Sequence, residues 1–390
     1  MYDTGSTAFM IVCAMLVLLM TPGLAFFYGG LSRRKNVVNT MIMSFAVIGI
    51  VAVTWTICGW SFAYGGDGSI PFFGGFDQLG FLSGTSDMLA AAADVPEDAV
   101  YPDIINFVFQ MAFCMITTAI ITGSLAGRMK FGAVCAFAAA WTILVYPPLA
   151  HMVWGGDGSL IGDTIGALDF AGGDVVHVSS GLTGLVLCLM LGKRKGFGMM
   201  SYRPHNVPFV ALGATLLWFG WFGFNGGSQF AADGVAGLAV INTVVASGAA
   251  LVSWMIVERV KVGLCVSPIC YFAISVCKAK FGYDDALDAF GCHCVGGIVG
   301  GIFTGLFCVP ELSWTDFGGL FYTGDFSLLG SQIAGILITV VFVAVCDVVL
   351  GLIIKACFKG DLRVSEEEEA QGLDVAAHGE SAYPAYIGLD

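Results

Sequence analysis

The chain has 390 residues, of which 57% are hydrophobic and only 12% charged, and its formal net charge is −13. That composition excludes an ordinary water-soluble domain, and the negative balance offers no surface for nucleic acid. It provides many apolar runs of roughly 20 residues, the length that crosses the hydrocarbon core of a bilayer.

In chain order these runs are 7–31, 38–64, 104–126, 131–153, 170–192, 208–227, 236–257, 289–308 and 330–357, with a weaker one at 262–277. The expected fold class is an all-α polytopic membrane protein with about 9–10 apparent spans. Residues 1–357 form the expected transmembrane domain. Residues 358–390 form a polar tail with four glutamates at 366–369, broken up by Gly372, Gly379 and Pro384. The 54 glycines suit close helix–helix approach, where small residues let backbones touch.

All sixteen Lys and Arg fall in alternate connections: Arg33 to Lys35, Arg128 and Lys130, Lys193 to Arg203, Arg259 and Lys261, Lys278 and Lys280, and Lys355 to Arg363. The other connections carry acids such as Asp67, Asp77, Glu97, Asp98, Asp157 and Asp325. The positive-inside rule therefore predicts a cell-membrane protein with its N-terminus outside and its tail in the cytoplasm. No basic stretch precedes the first apolar run, so residues 1–31 read as a span rather than a signal peptide. The 13 cysteines form no Cys-x-x-Cys spacing, so neither a metal site nor a cofactor is expected, and most read as packing residues.

Two histidines lie inside apolar runs in rhyming contexts. His177 ends Asp169-Phe-Ala-Gly-Gly-Asp-Val-Val-His, and His293 ends Asp285-Ala-Leu-Asp-Ala-Phe-Gly-Cys-His. Each follows an aspartate by eight positions. An ionisable group within a span marks a pathway or a site, and a matched pair suggests two repeat halves meeting there. Two unrelated core histidines bonded to backbone remain the alternative.

Further segments converge with these. The first span holds Thr21-Pro22-Gly23-Leu24-Ala25-Phe26-Phe27-Tyr28-Gly29-Gly30-Leu31, followed by Arg33-Arg34-Lys35-Asn36. The fourth ends Ala150-His151-Met152-Val153-Trp154-Gly155-Gly156, and the sixth contains Gly220-Trp221-Phe222-Gly223-Phe224-Asn225-Gly226-Gly227-Ser228. Gly282-Tyr283-Asp284-Asp285 precedes His293, and Glu366 to Pro384 lie in the tail. Together these motifs closely resemble the ammonium transporter family (Amt/Mep/Rh), nearer its Amt branch, over nearly the whole chain.

The resemblance implies an inverted-repeat bundle of eleven spans, one pore per monomer, a homotrimer, and transport of ammonium or ammonia. It implies an outer substrate site formed by Phe113, Trp154 and Ser228, shaped by Asp169. A gate would be made by Phe113 and Phe224, with Phe109 one turn away, and a twin-histidine proton relay by His177 and His293. The tail would couple neighbouring subunits and offer a surface to a PII-type signal protein. Read from the residues alone, Trp154 also fits an interfacial belt, the phenylalanines core packing, and Asp169 a helix cap. Asp174 either orients His177 or caps its helix. Asp347, inside the last span, has a polar partner or marks something peculiar to this chain.

The chain departs from the family in two places. Cys294 stands where a glycine is usual after the second histidine. Only 23 residues separate Glu258 from Gly282, where the family fits one span and most of another. An internal deletion around 258–266 is inferred, from a real loss or a mis-joined gene model. Run 262–277 contains Pro268 and has basic residues on both sides, so it is expected to be re-entrant rather than to cross. Besides a transporter, three readings stay open: an ammonium sensor, a transport-defective paralogue, and a bis-histidine haem protein.

Overall fold

The computed structural model describes residues 2–81, 100–199, 202–260, 266–313 and 315–383. The acids Glu97 and Asp98, Lys261, the first residues of run 262–277, and Pro384 lie outside them. Nine described helices are long and apolar enough to cross a membrane. They are α1 Thr4–Leu31, α2 Arg34–Tyr64, α3 Asp103–Leu125, α4 Phe131–Trp154, α5 Gly173–Leu191, α6 Val207–Gly227, α7 Gly234–Val260, α9 Phe290–Phe307 and α10 Ser327–Cys357. They coincide with the nine apolar runs. Among the described residues no strand forms beyond one bridge between Met129 and Arg363, as expected where each span must pair its own backbone groups.

The helix α8 covers residues 266–281. At 1.5 Å per residue it is about 24 Å long, short of a hydrocarbon core of about 30 Å. It runs beside α9, with Ile274 against Gly291 and Cys270 against Gly296. Its last turn is tied down by Lys278, whose Nζ donates to the Asp285 carbonyl at 2.6 Å and to Asp288 Oδ1 at 2.5 Å.

The two halves of the bundle meet most extensively where α1 crosses α6. Glycines allow it. A Cβ on Gly213 would lie 2.2 Å from the Phe27 nitrogen, and one on Gly220 would lie 2.2 Å from Met20 Cγ. Helix α4 breaks at Val145, just before Pro147 and Pro148, which have no N–H to continue the ladder. The bend sets the direction of the last two turns, which end at Trp154.

Lys35, Arg128, Lys130, Arg194, Lys195, Lys278 and Arg363 gather at one end of the bundle, the end holding Leu31 and the tail. Asp284 sits between Arg128 and Arg194, accepting from Arg194 Nε at 2.8 Å and Nη2 at 2.6 Å, with Arg128 Nη1 at 3.5 Å. The Asp284 and Arg128 side chains are both fully buried. The tail folds against this end. Glu369 accepts from Arg363 at 2.6 Å and from the Lys195 backbone at 2.6 Å. The short helices α11 Glu366–Gln371 and α12 Leu373–His378 are joined through Leu373 N to Asn36 Oδ1, and Asp374 Oδ1 accepts from Asn39 N. Asp347 in α10 is fully buried, and Trp141 donates its indole N–H to it at 3.1 Å. A buried polar partner is thus the answer for that residue.

Burial pushes the Asp284 carboxyl up, but Arg194 and Arg128 outweigh it and hold the group below the usual carboxylate range. Its contribution to stability is therefore complete above that range and is lost as pH falls through the depressed value. Asp284→Asn leaves Arg128 charged and buried, and is expected to cost about 3–5 kcal/mol. Thermal melts of the two proteins in detergent measure this. Equal midpoints near neutral pH would contradict it.

Candidate functional site

A row of rings runs down the middle of the bundle. Trp154, at the end of α4, meets Phe113 of α3 edge-on at 6.2 Å between ring centres. Phe113 stacks on Phe224 of α6 at 4.1 Å and 15°. Phe224 lies 6.1 Å from the His177 ring, and the His177 and His293 rings meet edge to edge, with planes 11° apart and centres 5.3 Å apart. The Nδ1 atoms of the two imidazoles are 3.1 Å apart. One of them must carry the shared proton and the other must accept it, which fixes opposite tautomers on the two rings.

Their helices explain why the histidines meet. Both α5 and α9 begin with a wide turn of i→i+5 bonds, Gly173–Val178 and Phe290–Cys294, and each turn contains its histidine. Each turn is capped by the aspartate eight residues before the histidine. Asp169 accepts the N–H groups of Gly172, Gly173, Asp174 and Val175 at 2.6, 2.8, 2.9 and 3.2 Å. Asp285 accepts Phe290 N at 2.8 Å and the Ser124 hydroxyl at 2.7 Å. The two caps lie at opposite ends of the bundle, so α5 and α9 enter it from opposite ends. The carboxylates complement the N-terminal ends of their helices. Cys294, in place of the expected glycine, is accommodated by Gly181 opposite it, where a Cβ would lie 2.4 Å from the Cys294 nitrogen.

At the end of the bundle away from the basic connections, a cavity of about 360 Å³ opens above Phe113. Phe113, Trp154, Asp169 and Ser228 all line it. The Asp169 carboxylate is occupied by its four backbone donors. Its carbonyl accepts the Trp154 indole N–H at 2.7 Å and so sets the ring's orientation. Ser228 donates its hydroxyl to the Phe224 carbonyl at 2.8 Å, which leaves its oxygen free to accept.

Phe109 is fully buried, 4.8 Å from Phe113 and edge-on to Phe230, so it backs the stack from behind. The helix cap is Asp169, not Asp174, whose side chain makes no hydrogen bond to another described residue. His151 is a structural histidine, with its nitrogens 2.9 and 3.0 Å from the carbonyls of Ala63 and Ile70. Tyr64, Asn106, Gln110, Phe170, Gln229 and Phe230 also line the cavity and were missed. Phe230 has φ of 60°, strained for an aromatic residue, and its sequence gives no sign of it. Trp221, stacked on His177 at 5.9 Å, lay in a quoted motif but had no role assigned.

Comparison with known proteins gives the context. The model of the Ammonium Transporter Family matches residues 8–264 and 260–383, in two pieces. An ammonium transporter of Aquifex aeolicus is 44% identical over 416 positions, covering 98% of this chain and 94% of that one. One from Bacillus subtilis is 43% identical, covering 97% and 98%. An alignment of 416 positions exceeds the 390 residues here, so at least 26 positions have no counterpart. The crystal structure of Candida albicans Mep2 superposes with a TM-score of 0.82 at 27% identity, over 94% of this chain and 88% of that one. A structure titled "Sensor Amt Protein" gives 0.81 at 25%, over 96% and 98%. On this evidence the chain is a multi-pass membrane protein that belongs to the ammonium transporter family.

Proposed function

We propose that this chain carries ammonium across the membrane by separating it into ammonia and a proton. The observation that carries the reading is the unbroken row Trp154, Phe113, Phe224, His177 and His293. Moving a bare ion through an apolar path is costly, so a charged form is held at the cavity and not below it. There the faces of Trp154 and Phe113 attract a small cation, an interaction of about 2 kcal/mol or more once desolvated, and Ser228 offers an acceptor. Phe113 and Phe224 close the path and must part for passage. Ammonia then moves along the apolar lumen, while the proton passes between the facing Nδ1 atoms of His177 and His293.

By the positive-inside rule the cavity faces outward and the tail lies in the cytoplasm. The family reading adds a homotrimer, with the docked tail as the surface for neighbouring subunits and for a PII-type protein. A sensor is the second reading, favoured by the tail's attachment to Lys35, Asn36 and Asn39, which lets events in α1 and α2 reach it. The same currents separate the two, since a sensor binds without sustained flux.

Three outcomes test the proposal. His177→Ala and His293→Ala are expected to abolish coupled current in reconstituted membranes while the protein still inserts. Unchanged current and selectivity in both would remove the relay. Trp154→Leu is expected to lower the preference for ammonium over other solutes by about tenfold, the equivalent of part of one cation–π contact. Superimposable competition curves would reduce Trp154 to a belt residue. Inserting the relatives' missing segment ahead of residue 266 is expected to raise the melting temperature and the transport rate together, by closing the bundle beside α8. A gain in neither would show that the shorter chain is complete as it stands.

A further inference from the structure

The cavity holds more polar atoms than its aromatic cage explains. Asn106 and Gln110 stand one turn apart on α3, and Tyr64 ends α2; all three line the cavity. The amide oxygens of Asn106 and Gln110 and the phenol oxygen of Tyr64 are buried and have no hydrogen-bond partner. Gln110 is only 4% exposed. Elsewhere in the bundle a buried glutamine is fully used. Gln332, 3% exposed, accepts from Leu168 N at 2.6 Å and donates to the carbonyls of Leu168 and Gly301 at 3.0 and 3.2 Å. An unpaired buried polar group is costly, and three together in one cavity call for an occupant that pairs with them.

The chemistry of that occupant follows from the atoms. Two are carbonyl oxygens, which only accept, and the third is a phenol, which accepts and donates. A half-turn of either amide exchanges its oxygen with its nitrogen, so the donors of an occupant decide which of the two faces the cavity. The carboxylate that lines the cavity, Asp169, is saturated by four backbone N–H groups and has little accepting capacity left. The walls thus offer neutral acceptors and ring faces, a setting for a small cation rich in N–H donors.

We propose that Gln110, Asn106 and Tyr64 form an acceptor set that replaces part of the hydration shell of an entering ammonium ion and selects by the number of N–H donors. It rests on the reading of this cavity as the outer ammonium site. An ion with four N–H groups places one on the Ser228 oxygen and others on the amide oxygens while its remaining edge meets the rings. Methylammonium has three and turns its methyl group toward one of the acceptors, leaving that oxygen unpaired. The set therefore favours ammonium, which the ring faces alone do not, because π faces attract both cations through the same charge.

The test is the charge displaced by rapid concentration jumps on full-length protein in supported membranes, with ammonium chloride and with methylammonium chloride. This signal reports binding even without sustained flux. In Gln110→Leu the ratio of half-saturating methylammonium to half-saturating ammonium is expected to fall about tenfold, the scale of one hydrogen bond to a charged group. Asn106→Leu, nearer the start of α3, is expected to move it in the same direction and serves if Gln110→Leu does not fold. Gln110→Asn, which keeps an amide, should recover part of the loss. An unchanged ratio in the leucine variants would overturn the proposal and assign the three side chains to water alone. Trp154→Leu, measured in parallel, separates the causes. If it shifts ammonium binding and the leucine variants leave the ratio alone, only the acceptor set is wrong. If it too changes nothing, the reading of the cavity as the ammonium site falls with it.

Discussion

The contact on which the rest depends is the hydrogen bond between the Nδ1 atoms of His177 and His293 at 3.1 Å. Two imidazoles share a proton only if a ring nitrogen of each points at the other, edge to edge, and both rings are held there by their backbones. Helices α5 and α9 supply that from opposite ends of the bundle, each through a wide first turn capped by its own aspartate. Close packing does the rest: a Cβ at Gly297 would lie 2.7 Å from the Gly173 carbonyl and 3.2 Å from His177 Cβ. A larger residue there would push the two turns apart and break the pair.

The ends of the bundle follow opposite logics. Where α5 begins, uncharged acceptors and rings surround a cavity, and the Asp169 carboxylate that lines it is consumed by backbone donors. Where α9 begins, charge is abundant and paired. Asp284 sits between two arginines, Lys278 ties α8 to the turn before α9, and Glu369 joins the tail to Arg363 and the Lys195 backbone. Asp288 beside Lys278 is held above the usual carboxylate range, because burial outweighs the lysine's attraction. This end thus anchors the helix that carries His293 to the first half of the bundle and to the tail.

Much of this was legible in the sequence, for physical reasons. Spans announce themselves by length and apolarity, so all nine long helices were found with ends off by a few residues. The aspartate eight before each histidine was visible as a repeat, although its work as a cap needed the backbone. The family resemblance grouped Trp154, Phe113 and Ser228 at one site and set Phe224 against Phe113 below it, which spacing alone does not do, since they come from α3, α4, α6 and the residue that follows α6. What stayed hidden depends on pairs distant in sequence. Trp141 as partner of Asp347 is one such pair. The unpaired oxygens of Asn106, Gln110 and Tyr64 are another, because an uncharged polar residue in an apolar run signals nothing until its neighbours are known. The strained backbone at Phe230 has no signature at all.

The central claim is that charge and nitrogen cross by linked but separate routes. It is tested most directly by measuring, in the same proteoliposomes, the charge moved and the ammonia delivered after an ammonium pulse. The account predicts one elementary charge for each nitrogen delivered. Nitrogen delivered without charge, or no sustained response to ammonium, would contradict it.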